Sequence, residues 1–228
     1  MKRATQVFGC AAVFVAVVGL LTLGAEISFS PSAYNPALEE AVTFEVCESC
    51  LGDGTFVYEW DFDGDGVYEI SSEDPIVTHT FTAPGFVDVG LQIVDESGRT
   101  IVCRKGILVG ESPLIAVRDV VEEDGATFVV ITFSANWALT APGLEESVPA
   151  GWQLEILDTA GSLEPHMENG TLGVLWADQI LEGWTWAFSY RLYPTYATGV
   201  PALSGIASGY IAGKRVKAPV CGDLSIPR

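Results

Sequence analysis

The sequence predicts an all-β protein: two tandem antiparallel β-sandwiches behind an N-terminal export or anchor helix. Three observations carry this. Apolar residues alternate with polar ones over short runs, as at Val87, Val89, Leu91 and Ile93 with Asp88, Gly90 and Gln92 between them, the period of a half-buried strand. Turn-forming pairs such as Asn35-Pro36, Pro84-Gly85, Ser97-Gly98 and Asn169-Gly170 separate the runs, a spacing typical of antiparallel sandwiches. Beyond the N-terminus, no stretch of useful length carries an amphipathic helical period.

Lys2 and Arg3 precede an apolar run from Val7 to Leu23, then Gly24-Ala25 and Glu26. A basic start, an apolar stretch and small residues describe a secretory signal peptide, residues 1–25, with cleavage after Ala25. Leu23 is bulky for the third position before a cut, and the run is near the lower limit of about 17 residues for crossing a bilayer. An uncleaved N-terminal anchor is therefore the alternative, and it is the only expected route to a membrane.

The chain has 228 residues and a net charge of −19, although only 18% of its residues are charged and 49% are hydrophobic. Removing residues 1–25 takes away Lys2 and Arg3 and no acid, which deepens the charge to −21. Such a surface repels phosphate backbones and anionic headgroups. Nucleic acid is excluded as a partner, leaving cations, glycans and surface proteins.

Export leaves four cysteines, Cys47, Cys50, Cys103 and Cys221. An even count in an oxidising compartment favours disulfides. Cys47-Glu48-Ser49-Cys50 lacks the second close pair of a zinc ribbon, and it follows the strand run Val42–Val46 instead of opening a helix as thioredoxin chemistry needs.

Between residues 27 and 110, Tyr58, Trp60 and Phe62 alternate with Glu59, Asp61 and Asp63. That places Trp60 and Phe62 in the core and the carboxylates off that face. Three motifs follow in order: Tyr58-Glu59-Trp60-Asp61-Phe62-Asp63-Gly64-Asp65-Gly66, then Thr78-His79-Thr80-Phe81-Thr82-Ala83-Pro84-Gly85, then Val87-Asp88-Val89-Gly90-Leu91-Gln92-Ile93-Val94-Asp95. This stretch resembles the PKD domain, the immunoglobulin-like module named after polycystic kidney disease protein. The resemblance implies a seven-stranded sandwich with Trp60 buried between the sheets, an extracellular spacer or interaction role, and no catalytic residue. In that fold Cys103, which begins the last strand after the Asp95–Arg99 turn, lies close to the turn after the Cys47 strand, so a disulfide from Cys103 to Cys47 or Cys50 is expected. His79 is expected to pack and hydrogen-bond at a strand start.

Asp61, Asp63 and Asp65, with Gly66 at the sixth position, also match the opening of an EF-hand loop. The twelfth position is Ser72 and flanking helices are absent, so an EF-hand is rejected. A calcium site of another kind at Asp61, Asp63 and Asp65 remains, against the plainer reading that these aspartates cap backbone amides of a tight turn. No cofactor is expected to be required.

Gly110-Glu111-Ser112-Pro113 reads as a hinge too short for free tumbling. Runs at 128–133, 154–157, 172–176, 185–192 and 203–207, separated by Pro142-Gly143, Pro149-Ala150-Gly151, Asn169-Gly170 and Glu182-Gly183, predict a second immunoglobulin-like sandwich over 113–220, leaving 221–228 as a tail. Leu144–Trp152 and the runs Gly173–Trp176, Phe188–Pro194 and Leu203–Ala207 resemble a β-sandwich module of prokaryotic surface proteins, which implies no defined activity. Trp184 and Trp186, two apart, are expected in the core, whereas Trp137, beside Asn136 in a turn-rich stretch, is the candidate for stacking on a sugar ring.

Serine-hydrolase elbows and HExxH are absent, and adjacent Glu145 and Glu146 on a strand face opposite ways and cannot flank one glycosidic bond. The expectation is a non-catalytic secreted or cell-surface protein with a structural or adhesive role. Glycan binding through exposed tryptophans, or service as an accessory subunit of a secreted hydrolase, are the alternatives.

Overall fold

The computed structural model describes residues 27–48, 51, 53–196 and 201–226; the predicted export segment 1–25 and Cys50 lie outside them. No helix among the described residues is long and apolar enough to cross a membrane. Among the described residues the chain runs through seventeen strands.

The first sandwich sets a three-stranded sheet against a four-stranded one. The smaller has the order β1 (Phe29–Pro31), β2 (Ala41–Val46), β5 (Ile76–Thr80). The larger runs β4 (Ile70–Ser72), β3 (Phe56–Asp61), β6 (Gly85–Asp95), β7 (Thr100–Val109), antiparallel throughout. Alternation aims Val42, Phe44 and Val46 from one sheet at Trp60, Val89, Leu91 and Ile93 from the other. Trp60 is fully buried, with Phe29 edge-on at 5.1 Å and Phe62 stacked at 5.6 Å. His79 lies flat on Phe62 at 4.1 Å, so it packs as an aromatic near the end of β5.

In the second sandwich one sheet has the order β11 (Trp152–Asp158), β15 (Thr185–Pro194), β9 (Ala126–Ala135), β8 (Leu114–Glu123) and β17 (Lys214–Asp223). The other runs from β17 through β16 (Gly205–Ile211), β10 (Leu139–Ser147) and β13 (Thr171–Leu175) to β12 (His166–Glu168), with β14 (Gln179–Ile180) also on β10. Between them Phe133, Trp176 and Phe188 pack as a ring cluster, with Trp186 stacked on Phe133 at 5.0 Å. The β12–β13 turn puts Asn169 and Gly170 at φ 51° and 78°, the two positive values that a tight hairpin needs.

Two expectations change. Pro142-Gly143 does not separate strands but sits inside β10, where the register shifts between Thr140 and Gly143 and Ala141 has φ 48°; a proline is tolerated in a sheet at such a bulge. Residues 221–228 are not a free tail up to Ile226. Lys214–Pro219 pair antiparallel with β16, then Val220–Gly222 pair parallel with β8, and Gly222 and Asp223 pair antiparallel with Gly106 and Lys105 of β7. Beyond, Ser225 bridges Ala202 and Ile226 is buried.

Strand β17 therefore belongs to both sheets of the second sandwich and continues one of them into the first. The two cores are joined through one hydrogen-bonded sheet as well as through the short hinge. The hinge is pinned as well: the Gly110 N–H donates to Pro36 O (2.8 Å), Asn35 Nδ2 donates to Gly110 O (2.7 Å) and Asn136 Nδ2 to Ser112 O (2.9 Å). At the seam Arg118 Nη1 donates to Asp223 O (2.9 Å), and Asp223 Oδ2 accepts the Val120 N–H (2.9 Å).

Candidate functional site

The turn between β3 and β4 gathers carboxylates because Asp61, Asp63 and Asp65 line its outgoing arm while pairing of Trp60 with Ile70 returns Glu69 beside them. One oxygen from each of these four residues lies within 4.8 Å of the others. Asp61 is fully buried, not merely off the core face. Its Oδ1 accepts the Gly64 N–H at 2.7 Å and its Oδ2 the Gly66 N–H at 3.0 Å, with Arg104 Nη2 at 3.5 Å. Arg104 is shared with Asp88 at 2.9 Å. Gly64 has φ 78°, and a Cβ there would meet Asp88 O at 2.9 Å, so the turn needs glycine at that point.

The amide-capping reading describes Asp61, and each neighbour also caps: Asp63 Oδ1 accepts the Asp65 N–H (3.1 Å), Asp65 Oδ1 the Val67 N–H (2.7 Å) and Glu69 Oε2 the Phe62 N–H (3.0 Å). Capping uses both oxygens of Asp61 but one each of the other three. The set is chemically suited to a hard divalent cation, which takes several oxygen ligands. Glu69 was not expected from the sequence. A ligand search along an EF-hand loop looks at Ser72 and Glu73, whereas a hairpin closes the set four residues after Asp65.

Among the cysteines, Cys103 is the fourth residue of β7 and carries a free thiol, as does buried Cys221. The expected bond from Cys103 to Cys47 or Cys50 is corrected: Cys103 is free, its Sγ pointing to Leu91 O (3.9 Å) across the sheet, while Cys47 is itself disulfide-bonded. Burial pushes both free thiols up to about 12, which leaves them protonated and unreactive at neutral pH.

Trp137 is 48% exposed on the turn after β9, and Trp184, expected in the core, is 54% exposed. The reason is local. Strand β15 begins at Thr185, so Trp184 belongs to the preceding turn and escapes the alternation that packs Trp186 partly buried against the core. The Ala135 N–H donates to Trp184 O (2.9 Å) and the Trp137 N–H to Pro113 O (3.2 Å), which sets both indoles on adjoining turns beside the linker.

A separate groove of about 560 Å³ runs over the outer face of β13, β10 and β16. Gly143 and Gly173 form its floor, the His166 ring lies over Gly173, and Tyr210 stands at its edge. Arg215 Nη2 donates to Glu145 Oε1 (2.8 Å) and to Ser208 Oγ (3.1 Å) within it. Five strands contribute (β10, β12, β13, β16 and β17), so no local motif announces it. Glu146, adjacent to Glu145, points the other way into the core, held by Arg118.

The packed antiparallel sheets around two apolar cores define an all-β sandwich protein. Residues 32–104 match the family model described as the PKD domain. Similar solved structures include a carbohydrate-binding module of the β-sandwich superfamily (18% identity, 89% of this chain and 97% of that one, TM-score 0.36). SpaD, the major pilin of Corynebacterium diphtheriae, is 10% identical over 73% of this chain and 58% of its own, with a TM-score of 0.41. The chitinase ChiA74 of Bacillus thuringiensis is 12% identical over 84% of this chain and 28% of its own, with a TM-score of 0.39. These superpositions are too loose for any property of those proteins to be carried over. No curated protein sequence matches the chain.

Proposed function

We propose that this chain is a non-catalytic, exported structural or adhesive protein of the cell surface, in which two sandwiches act as one stiff spacer. The observation that carries the reading is β17, which hydrogen-bonds to β8 and β16 of the second sandwich and to β7 of the first. A spacer gains from such a seam because bending it breaks sheet hydrogen bonds as well as a linker. The PKD match at residues 32–104 supports an extracytoplasmic setting, and the acidic surface disfavours nucleic acid as a partner. Capture of partners by the full chain from its native envelope fraction tests it. Recovery of a surface protein supports the reading, and recovery of a hydrolase in fixed ratio replaces it with the accessory-subunit role.

Glycan binding is the second reading, favoured by Trp137 and Trp184 exposed on adjoining turns. Ring faces stack on sugars without needing charge. Retention on insoluble polysaccharide that disappears in Trp137→Ala/Trp184→Ala supports it. Retention lost only in Tyr210→Ala moves the site to the sheet groove, and no retention at all removes the reading.

Calcium is the candidate ligand of Asp61, Asp63, Asp65 and Glu69, as a stabiliser of the turn and not as a catalyst. The support is the four clustered carboxylates, with the Arg104 guanidinium 3.5 Å from Asp61. A melting temperature that rises with calcium in the wild type and not in Asp63→Asn/Asp65→Asn supports the site. Absence of both heat and shift at millimolar calcium removes it.

A further inference from the structure

We propose that Lys105 and Asp223 condense to an amide, joining β7 to the last strand by a covalent bond between Lys105 Nζ and Asp223 Cγ. The two residues are register partners on antiparallel strands, and directly opposed residues present their side chains on the same face. Lys105 Nζ lies 2.5 Å from Asp223 Oδ1, and the two side chains are 6% and 17% exposed. Few surface lysines are held this way: the amine is confined, desolvated and aimed at one carboxylate.

The carboxylate is equally constrained. Its second oxygen accepts the Val120 N–H at 2.9 Å, and Arg118 fixes the backbone of the same residue through Asp223 O at 2.9 Å. A main-chain N–H on Oδ2 stands where negative charge grows when the amine adds to Cγ. Confinement of both reactants supplies the effective concentration that such a step otherwise lacks.

The atoms balance without an added reagent. An ammonium and a carboxylate contain an amide plus one water. The ammonium first passes a proton to Oδ1, giving a neutral amine and a carboxylic acid. Nζ then attacks Cγ, the C–OH bond breaks, and the second Nζ proton leaves with the hydroxyl as water. Asp119 is placed to relay that proton. Asp119 follows Arg118, the β8 register partner of Gly222, which sets it beside Asp223 on the neighbouring strand; burial and then Asp223 raise its carboxyl, against the pull of Lys105. In the resting pair Lys105 is held protonated by Asp223 despite its burial, so the proton transfer is the slow entry to the reaction and the bond forms by slow maturation after folding.

Among the described residues two register pairs join β17 to β7, so a covalent bond there would lock the seam between the cores. Intact-mass measurement of the purified, thiol-reduced full chain tests the proposal, followed by peptide mapping. The expected result is a mass lower than the sequence by one water, with the peptides holding Lys105 and Asp223 joined and trypsin unable to cut after Lys105. Lys105→Arg, which keeps the ion pair, loses the deficit. Asp119→Ala, with an unchanged circular dichroism spectrum, shows a several-fold lower linked fraction at equal age. Full sequence mass in folded, aged protein overturns the proposal, and so does a water deficit that maps to an Asp-Gly succinimide instead of to this pair.

Discussion

Removing the Glu146 carboxylate should be the most damaging single change in the second sandwich. Arg118 and Glu146 are both fully buried between its sheets. Arg118 Nε and Nη2 donate to Glu146 Oε1 and Oε2, each at 2.8 Å, and the Tyr190 hydroxyl donates to Oε1 at 2.9 Å. Gly205 leaves the room that the carboxylate fills, since a Cβ there would lie 2.0 Å from Oε2. Glu146→Ala strands a guanidinium in the core, its remaining bond being the one to Asp223 O. Breaking one side of a buried pair costs about 3–5 kcal/mol, or a fall in melting temperature of about 6–20 °C for a chain of this size. Differential scanning calorimetry and urea titration measure it. The double variant Arg118→Met/Glu146→Leu should recover most of the loss, because two apolar side chains replace two charges in the same space. A single variant that loses under about 1 kcal/mol, or a double variant as unstable as the single, refutes the reasoning.

Three further outcomes follow from the same geometry. Asp61→Ala removes the acceptor of two turn N–H groups and should lower stability by about 1–3 kcal/mol, read from the urea midpoint, with Asp61→Asn intermediate. His79 is held below its ordinary value by burial against Phe62 and Phe81. The unfolded state therefore binds its proton first, so stability should fall as pH drops below about 6.5 and that part of the pH dependence should vanish in His79→Phe. Gly222→Ala places a Cβ 2.1 Å from Arg118 O at φ 83°, so the seam must open. Its cost should exceed about 2 kcal/mol, and limited proteolysis should newly cut near residues 110–113.

Strand identity was legible wherever alternation was local. The pattern around Val87–Ile93 and Tyr58–Phe62 depends only on which side chains face a core, and β6 and β3 form there. Trp60 and Phe62 face that core for the same reason, and the Asp-rich turn could be located because Asp61, Asp63, Asp65 and two glycines are neighbours in the chain. What escaped is what pairing alone assembles. Glu69 joins the carboxylates through the β3–β4 hairpin, Trp184 is exposed because β15 starts one residue later, and the groove takes residues from five strands.

The sequence by itself determined an all-β chain, two aromatic cores and an acidic turn, since hydrophobic period and turn chemistry act over a few residues. Only the tertiary structure decided that the last strand changes partners along its length, from β16 to β8 and β7. A run such as Ala218-Pro219-Val220-Cys221-Gly222 records which residues are buried but not which edge covers them, because every strand edge offers the same N–H and C=O groups. Pairing across the whole chain, with Asp223 opposite Lys105 and Arg118 beneath it, selects the edge and makes two sandwiches into one sheet-linked body.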